Sequence, residues 1–215
     1  MSGPVPTVTA LQDIYTAEAV PEERPRWERL LEKFQATYGG PAEFVSRSPG
    51  RVNIIGEHID YSLYSVLPMA MTADVILAVS TDVSPTPAAA EDTYKIQLAN
   101  VEADRFPARS FDVPYAGAVE IDAAHHEWTN YFKSGLRGAL ELLRKKHGPG
   151  FRPVGMRVLM DGTVPAGGGL SSSAAFVSAS ALAVMIANGE SDVDKKDLTE
   201  VAIVSERAVG VNSGG

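Results

Sequence analysis

The sequence has no cysteine, so disulfides, thiolate catalysis and cysteine-ligated zinc are excluded. It has no surplus of positive charge either: 19 basic against 27 acidic residues leave a net charge of −8, which argues against a general polyanion binder. A phosphate ligand would have to be held by a local main-chain site and not by the overall field. The longest apolar-looking run, Ala174 to Ala187, is broken by Ser178 and Ser180. At about 14 residues it falls short of the roughly 18 that a bilayer span needs. The opening stretch, Met1 to Ala10, is polar and proline-broken, without the basic and apolar regions of a secretory signal. These absences predict a cytoplasmic protein with no membrane or direct nucleic-acid partner. What is present is ordinary for a folded domain: 45% hydrophobic and 21% charged residues, enough apolar surface to exclude disorder as the main state.

The periodicity predicts a helix over Arg24 to Tyr38, where Trp27, Leu30, Leu31, Phe34 and Tyr38 draw one apolar stripe before Gly39-Gly40-Pro41 stops it. Short strands are expected at Glu43 to Arg47, Val52 to Ile55, Val66 to Met71, Val75 to Ser80 and Tyr94 to Leu98. Ser84 to Ala90 reads as a loop, and Pro107, Pro114 and Gly117 mark another. A second helix is predicted over Glu127 to His147, with Trp128, Tyr131, Phe132, Leu136, Leu140 and Leu143 on its buried face and basic residues in its last turn. A strand at Val154 to Met160, a glycine-rich loop at Gly162 to Gly169, a small-residue helix to Ala187 and a last helix near Lys195 to Val209 complete the pattern. Strands and helices interleave without the regular alternation of a doubly wound sheet, which gives the α+β class.

Two motifs carry chemistry. Val164 to Phe176 reads V-P-A-G-G-G-L-S-S-S-A-A-F, between a strand and a helix. Consecutive glycines let the backbone approach a ligand, and the free N–H groups and dipole of the helix opened by Ser171, Ser172 and Ser173 favour a phosphate. There is no Walker lysine and no dinucleotide G-x-G-x-x-G spacing. A flexible turn before a serine-capped core helix explains the same residues without a ligand. The second motif, Ser48 to Tyr61, reads S-P-G-R-V-N-I-I-G-E-H-I-D-Y. Pro49-Gly50 is expected to form a turn and Gly56 a sharp exit, after which Glu57, His58 and Asp60 cluster, with Arg51 upstream. Carboxylates and imidazole in that density suit a polyhydroxyl ligand. A salt bridge from Arg51 to Glu57 or Asp60, and a hydrogen-bonded core histidine at His58, are the alternatives. The adjacent His125 and His126 do not share a helix face, so no metal site is expected there.

Together the two motifs resemble those of galactokinases, members of the GHMP small-molecule kinases. The likeness runs over Glu43 to Thr72, Trp128 to Leu143 and Val154 to Gly215, and W-T-N-Y-F-K and V-G-V-N-S-G-G are similar to the fungal branch. The resemblance implies a GHMP-kinase N-terminal domain, a ribosomal-protein-like β-α-β two-layer sandwich, over residues 42–215, after an N-terminal extension and helix at 1–41. It implies ATP and Mg²⁺ as cofactors and galactose as substrate, phosphorylated at its C1 hydroxyl. By the same likeness Arg51 stabilises charge at the transferring phosphate. Glu57, His58 and Asp60 contact sugar hydroxyls, and Gly167, Gly168, Gly169, Leu170, Ser171 and Ser172 form the ATP-phosphate loop. Ser173 is the hydroxyl near Mg²⁺ and Glu206 completes the metal site. Glu206 stands in Ser205-Glu206-Arg207 where the family has Ala-Glu-His, and an ordinary surface charge is its alternative.

The family pattern continues from Gly214-Gly215 into Met-Asp-Gln, whose aspartate orients the sugar hydroxyl. The expectation is therefore an N-terminal half, truncated before a C-terminal domain and inactive alone. A non-catalytic galactose and ATP sensor that engages a transcriptional repressor is the alternative. Such sensors shorten the Ser-Ala part of the glycine loop, which is full length here. Mevalonate and homoserine kinases would not need the E-H-I-D-Y segment. Galactose and N-acetylgalactosamine are not separated at this level.

Overall fold

A computed structural model of the protein describes residues 3–56, 59, 64–82, 92–125 and 127–206. The predicted loop at 84–90 and the V-G-V-N-S-G-G ending lie outside these residues. A short 3-10 turn (Leu11–Asp13) leads into helix α1 (Val20–Tyr38). Strands β1 (Phe44–Ile55), β2 (Leu67–Asp82), β3 (Thr93–Asn100) and β4 (Arg109–Pro114) follow. Helix α2 (Thr129–His147), strand β5 (Gly155–Gly162) and helices α3 (Ser172–Ala187) and α4 (Lys195–Glu206) complete the order. The strands form one sheet in the order β1-β2-β5-β3-β4, antiparallel except where β3 runs parallel to β5.

Helices α2, α3 and α4 cover one face. Phe132, Leu136, Leu140 and Leu143 of α2 interlock there with Leu77 and Val79 of β2, Met156 and Val158 of β5 and the alanine-rich surface of α3. Because α3 is wrapped by the sheet, α2 and α4, its apolar character all round is what such a position requires. The opposite face is covered by α1, whose Leu30 and Phe34 are fully buried against Ile76, Ala78 and Leu159.

Several boundaries differ from the sequence expectation. Helix α1 starts at Val20, because Pro21 sits in the first turn, where its missing N–H costs nothing, and Pro25 removes only a single bond inside the helix. Strand β1 runs unbroken through Pro49-Gly50, where a turn was expected. It is an edge strand, which tolerates proline, and the pair absorbs a register shift between Pro49 and Arg51. Strand β2 is one long strand and not two. Strand β4 was hidden by Pro107 and Pro114, and it too is an edge. The starts of α3 and α4 fall within the predicted regions.

Candidate functional site

The phosphate-loop candidate lies between the end of β5 and the start of α3. φ is positive at every second residue, +75° at Gly167, +70° at Gly169 and +59° at Ser171. Alternation of this kind turns successive amide groups toward one concavity and favours an anion. Ser171 is the one non-glycine residue with positive φ among the described residues, a conformation that costs an ordinary L-residue about 1–2 kcal/mol. Its side chain does not cap α3, so the first helical N–H groups are not consumed by a serine cap. Ser171 is therefore not the side-chain cap that the ligand-free alternative supposed at this position. The Gly168 N–H turns back to the Pro165 carbonyl at 3.4 Å.

A cleft of about 910 Å³ opens beside this loop, with Gly167, Ser172 and Ser173 among its lining residues. Part of its lining is aromatic. The Trp128 ring stacks on Phe176 at 6.1 Å between centroids and 12° between planes, and Phe106 lies 5.9 Å from Trp128. Trp128 and Tyr131, expected in the core, are half-buried and line this cleft. Arg109 and Glu127, also in the lining, pair at 3.3 Å, and Arg105 lies over the Phe106 ring. The aromatic wall was missed in the sequence because Trp128 and Tyr131 share the stripe of true core residues on α2. Phe106 lies in a segment read only as loop.

The structure brings the second motif to the same place. The Arg51 N–H donates to the carbonyl oxygen of Leu170 at 3.1 Å. One residue earlier, a side chain on Gly50 would begin 3.1 Å from that same oxygen and 3.1 Å from Val164. The first glycine of the Ser48 to Tyr61 motif is therefore a contact glycine, and it lets β1 lie against the phosphate loop. Leu170 is thus an anchor of the loop through its main chain, while Ser172 and Ser173 open α3 toward the cleft.

Glu57, His58 and Asp60 lie outside the described residues, as does His126. Glu206 closes α4, and its side chain is likewise outside what is described. Helix α4 is held beside α2 and α3 by close packing at Gly138 and by a hydrogen bond from the buried Ser134 hydroxyl to the Ser205 carbonyl. His125 Nδ1 sits 2.6 Å from the Asp122 carboxylate, whose pKa is lowered first by that hydrogen bond. Among the described residues no three His, Cys, Asp or Glu side chains cluster as a metal site, and no helix is long and apolar enough to cross a membrane.

Comparison with known proteins places both motifs. Residues 32–81 match the family model described as the galactokinase galactose-binding signature, and residues 130–215 match the N-terminal domain of GHMP kinases. The chain is 43% identical over 215 residues to a galactokinase of Schizosaccharomyces pombe, an alignment covering 97% of this chain and 40% of that protein. It is 40% identical over 210 residues to a galactokinase sequence of Candida maltosa, covering 97% of this chain and 92% of that sequence. Among solved structures, the Lactococcus lactis galactokinase complexed with galactose superposes with a TM-score of 0.67 at 27% identity, covering 88% of this chain and 44% of that one. The chain thus spans less than half the length of the Schizosaccharomyces pombe and Lactococcus lactis proteins.

Proposed function

The chain belongs to the galactokinase family, and we propose that the protein transfers the γ-phosphoryl group of ATP to the C1 hydroxyl of galactose, in the cytoplasm. The observation that carries this is the hydrogen bond from Arg51 N–H to the Leu170 carbonyl. It joins the motif proposed to hold the sugar to the loop proposed to hold the phosphates. Phosphoryl transfer depends on positioning and charge stabilisation more than on covalent help from the protein. Apart from the Gly168 N–H, which bonds Pro165, the loop from Gly167 to Ser172 offers main-chain N–H groups and the positive end of the α3 dipole to the phosphates. Arg51, on the strand fastened to that loop, offsets charge on the transferring group. The aromatic wall at Phe106, Trp128 and Phe176 suits a planar base.

Glu57, His58 and Asp60 follow β1 directly and fall inside the matched galactose-binding signature, which supports them as the residues that orient the sugar hydroxyls. Ser173 offers a hard oxygen donor at the cleft, which fits Mg²⁺, with Glu206 as the second proposed ligand. When bound, Mg²⁺ neutralises charge on the β- and γ-phosphates.

The test is a coupled ADP-release assay on the full-length protein with Mg-ATP and galactose, N-acetylgalactosamine or no sugar. Galactose-dependent ADP release is expected. Release with N-acetylgalactosamine alone would overturn the substrate. Binding of both ATP and galactose without any release would favour a sensor that acts on a transcriptional repressor. A polypeptide limited to residues 1–215 corresponds to 40% of the Schizosaccharomyces pombe relative, and for it we propose no measurable turnover.

A further inference from the structure

The sheet face under α1 carries a buried ionic group that the phosphate loop and Arg51 do not use directly. The Asp74 carboxylate is fully buried. Arg26 of α1 donates to its Oδ1 at 2.6 Å, the Tyr15 hydroxyl donates to its Oδ2 at 2.6 Å, and Arg47 Nε of β1 donates to Oδ2 as well. Arg26 also reaches the main-chain oxygens of Asp74 and Asp161, at 3.3 and 3.4 Å. Burial disfavours the Arg26 charge, but Asp74 together with Glu23 and Asp161 outweighs it and holds the guanidinium protonated. Burial and then the bond to Asp74 push the Tyr15 hydroxyl up to about 12.

The main chain of the same residue grips the root of the phosphate loop. Asp74 N–H donates to Thr163 Oγ1 at 3.1 Å, and Thr163 N–H donates to the Asp74 carbonyl at 2.9 Å. Thr163 lines the cleft and leads into the glycine loop. On the other side Asp74 lies opposite Pro49, at the register shift through which β1 delivers Arg51. One buried residue therefore meets the strand bearing the arginine and the base of the loop bearing the phosphate site. Buried ion pairs add little net stability over well-packed apolar groups, and on this face the charges gather around Asp74 and the neighbouring Asp161, beside the apolar contact of Leu30 and Phe34. A charged cluster at this one point is better explained by the geometry it enforces.

We propose that Asp74 is a positioning residue for phosphoryl transfer, holding β1 and the phosphate loop in the fixed relation that places Arg51 against the transferring group. It rests on the kinase activity proposed above. ATP binding needs the loop and the cleft beside it, whereas transfer also needs Arg51 placed against the loop. The test is Asp74→Asn in the full-length protein, set against Phe34→Leu, which loosens α1 on the same face without touching the cluster. ATP affinity by calorimetry, kcat and Tm are measured for each. Asp74→Asn should lower kcat by at least about tenfold, since misplacement on the order of 1 Å can cost up to about 100-fold. Its ATP Kd should stay within about threefold, and Phe34→Leu should keep kcat within about twofold. A kcat for Asp74→Asn within about twofold of wild type, or a loss no greater than that of Phe34→Leu at equal Tm loss, overturns the proposal. Should Asp74→Asn fail to fold, Arg47→Lys keeps the charge and loses the Nε geometry. It should lower kcat about threefold or more with ATP Kd unchanged, and an unchanged kcat overturns the proposal in its turn. A wild-type protein that binds ATP and releases no ADP with galactose overturns the kinase activity itself, and the wild-type measurement alone detects it.

Discussion

The two faces of the sheet are fastened by different means. On the helical face, contact is apolar and close. Gly135 of α2 approaches α3 so nearly that an added Cβ would sit 2.6 Å from the Val177 carbonyl oxygen and 2.9 Å from the Ala181 nitrogen. The hydroxyls buried there, Ser46 and Ser180, each donate to a main-chain carbonyl at 2.7 Å. On the other face, α1 has a small apolar contact around Leu30 and Phe34 and a charged one around Asp74, with Arg26 also bridging to Asp161 at 3.3 Å. Apolar packing tolerates small shifts of one layer over another, whereas hydrogen-bonded charges hold only one arrangement. The molecule puts the first kind where the core is built and the second where β1, β2 and the phosphate loop meet.

The largest effect is expected from breaking the ionic face. Arg26→Met should cost about 3–5 kcal/mol, because it leaves Asp74 buried with fewer charge partners, and chemical denaturation will measure it. A loss below about 1 kcal/mol would mean that the two faces do not differ in this way. On the helical face, Gly135→Ala should cost about 1–3 kcal/mol by forcing α2 and α3 apart against main-chain atoms that have nowhere to go. The same denaturation series should then report no change in Tyr15 titration, since the two faces are separated by the sheet.

Within the phosphate loop, adjacent glycines separate strain from ligand approach. Gly169→Ala places a side chain at a φ of +70° and should cost about 1 kcal/mol. Gly168→Ala meets nothing nearer than 3.4 Å and should leave stability within about 0.5 kcal/mol. If phosphates lie on this loop, Gly168→Ala still weakens ATP binding in calorimetry, and unchanged affinity would move the phosphates elsewhere.

The smallest effect is confined to alkaline pH. With the Tyr15 pKa raised from 10.0 to about 12, the folded state holds the hydroxyl proton more tightly than the unfolded chain. The stabilisation is complete below pH 10 and is lost as pH rises through 12. Thermal melts should fall over that interval, and Tyr15→Phe should flatten the fall while lowering stability at neutral pH. An unchanged slope would remove Tyr15 from the ionic cluster.

What could be read from the residues follows the range of the interactions. The phosphate loop and the start of α3 were legible because consecutive glycines, a serine-opened helix and a run of small and apolar residues are written in contiguous residues, Gly167 to Ala187. The stripe of α2 was legible for the same reason, although it could not say that Trp128 and Tyr131 turn to a cleft while Phe132 and Leu136 turn to the core. The match of Ser48 to Tyr61 pointed to a sugar site, but the Pro49-Gly50 turn read there is in fact continuous strand. Proline reads as a break until its strand is known to lie at a sheet edge, and edge position is a property of the whole sheet.

The sequence by itself determined the class of fold and the two motifs, which are carried by local composition and spacing, and the resemblance of those motifs to galactokinases pointed to the family. Only the tertiary structure decided that Arg51 is bonded to Leu170 and that Tyr15, Arg26, Arg47, Asp74 and Thr163 form one assembly. Those residues come from separate segments, and a single aspartate at the head of a Val-Ile-Leu run gives no sign of what it will meet. Partners of that kind are chosen by strand register and helix docking. Both are settled when non-local apolar surfaces close, and no periodicity along the chain records them.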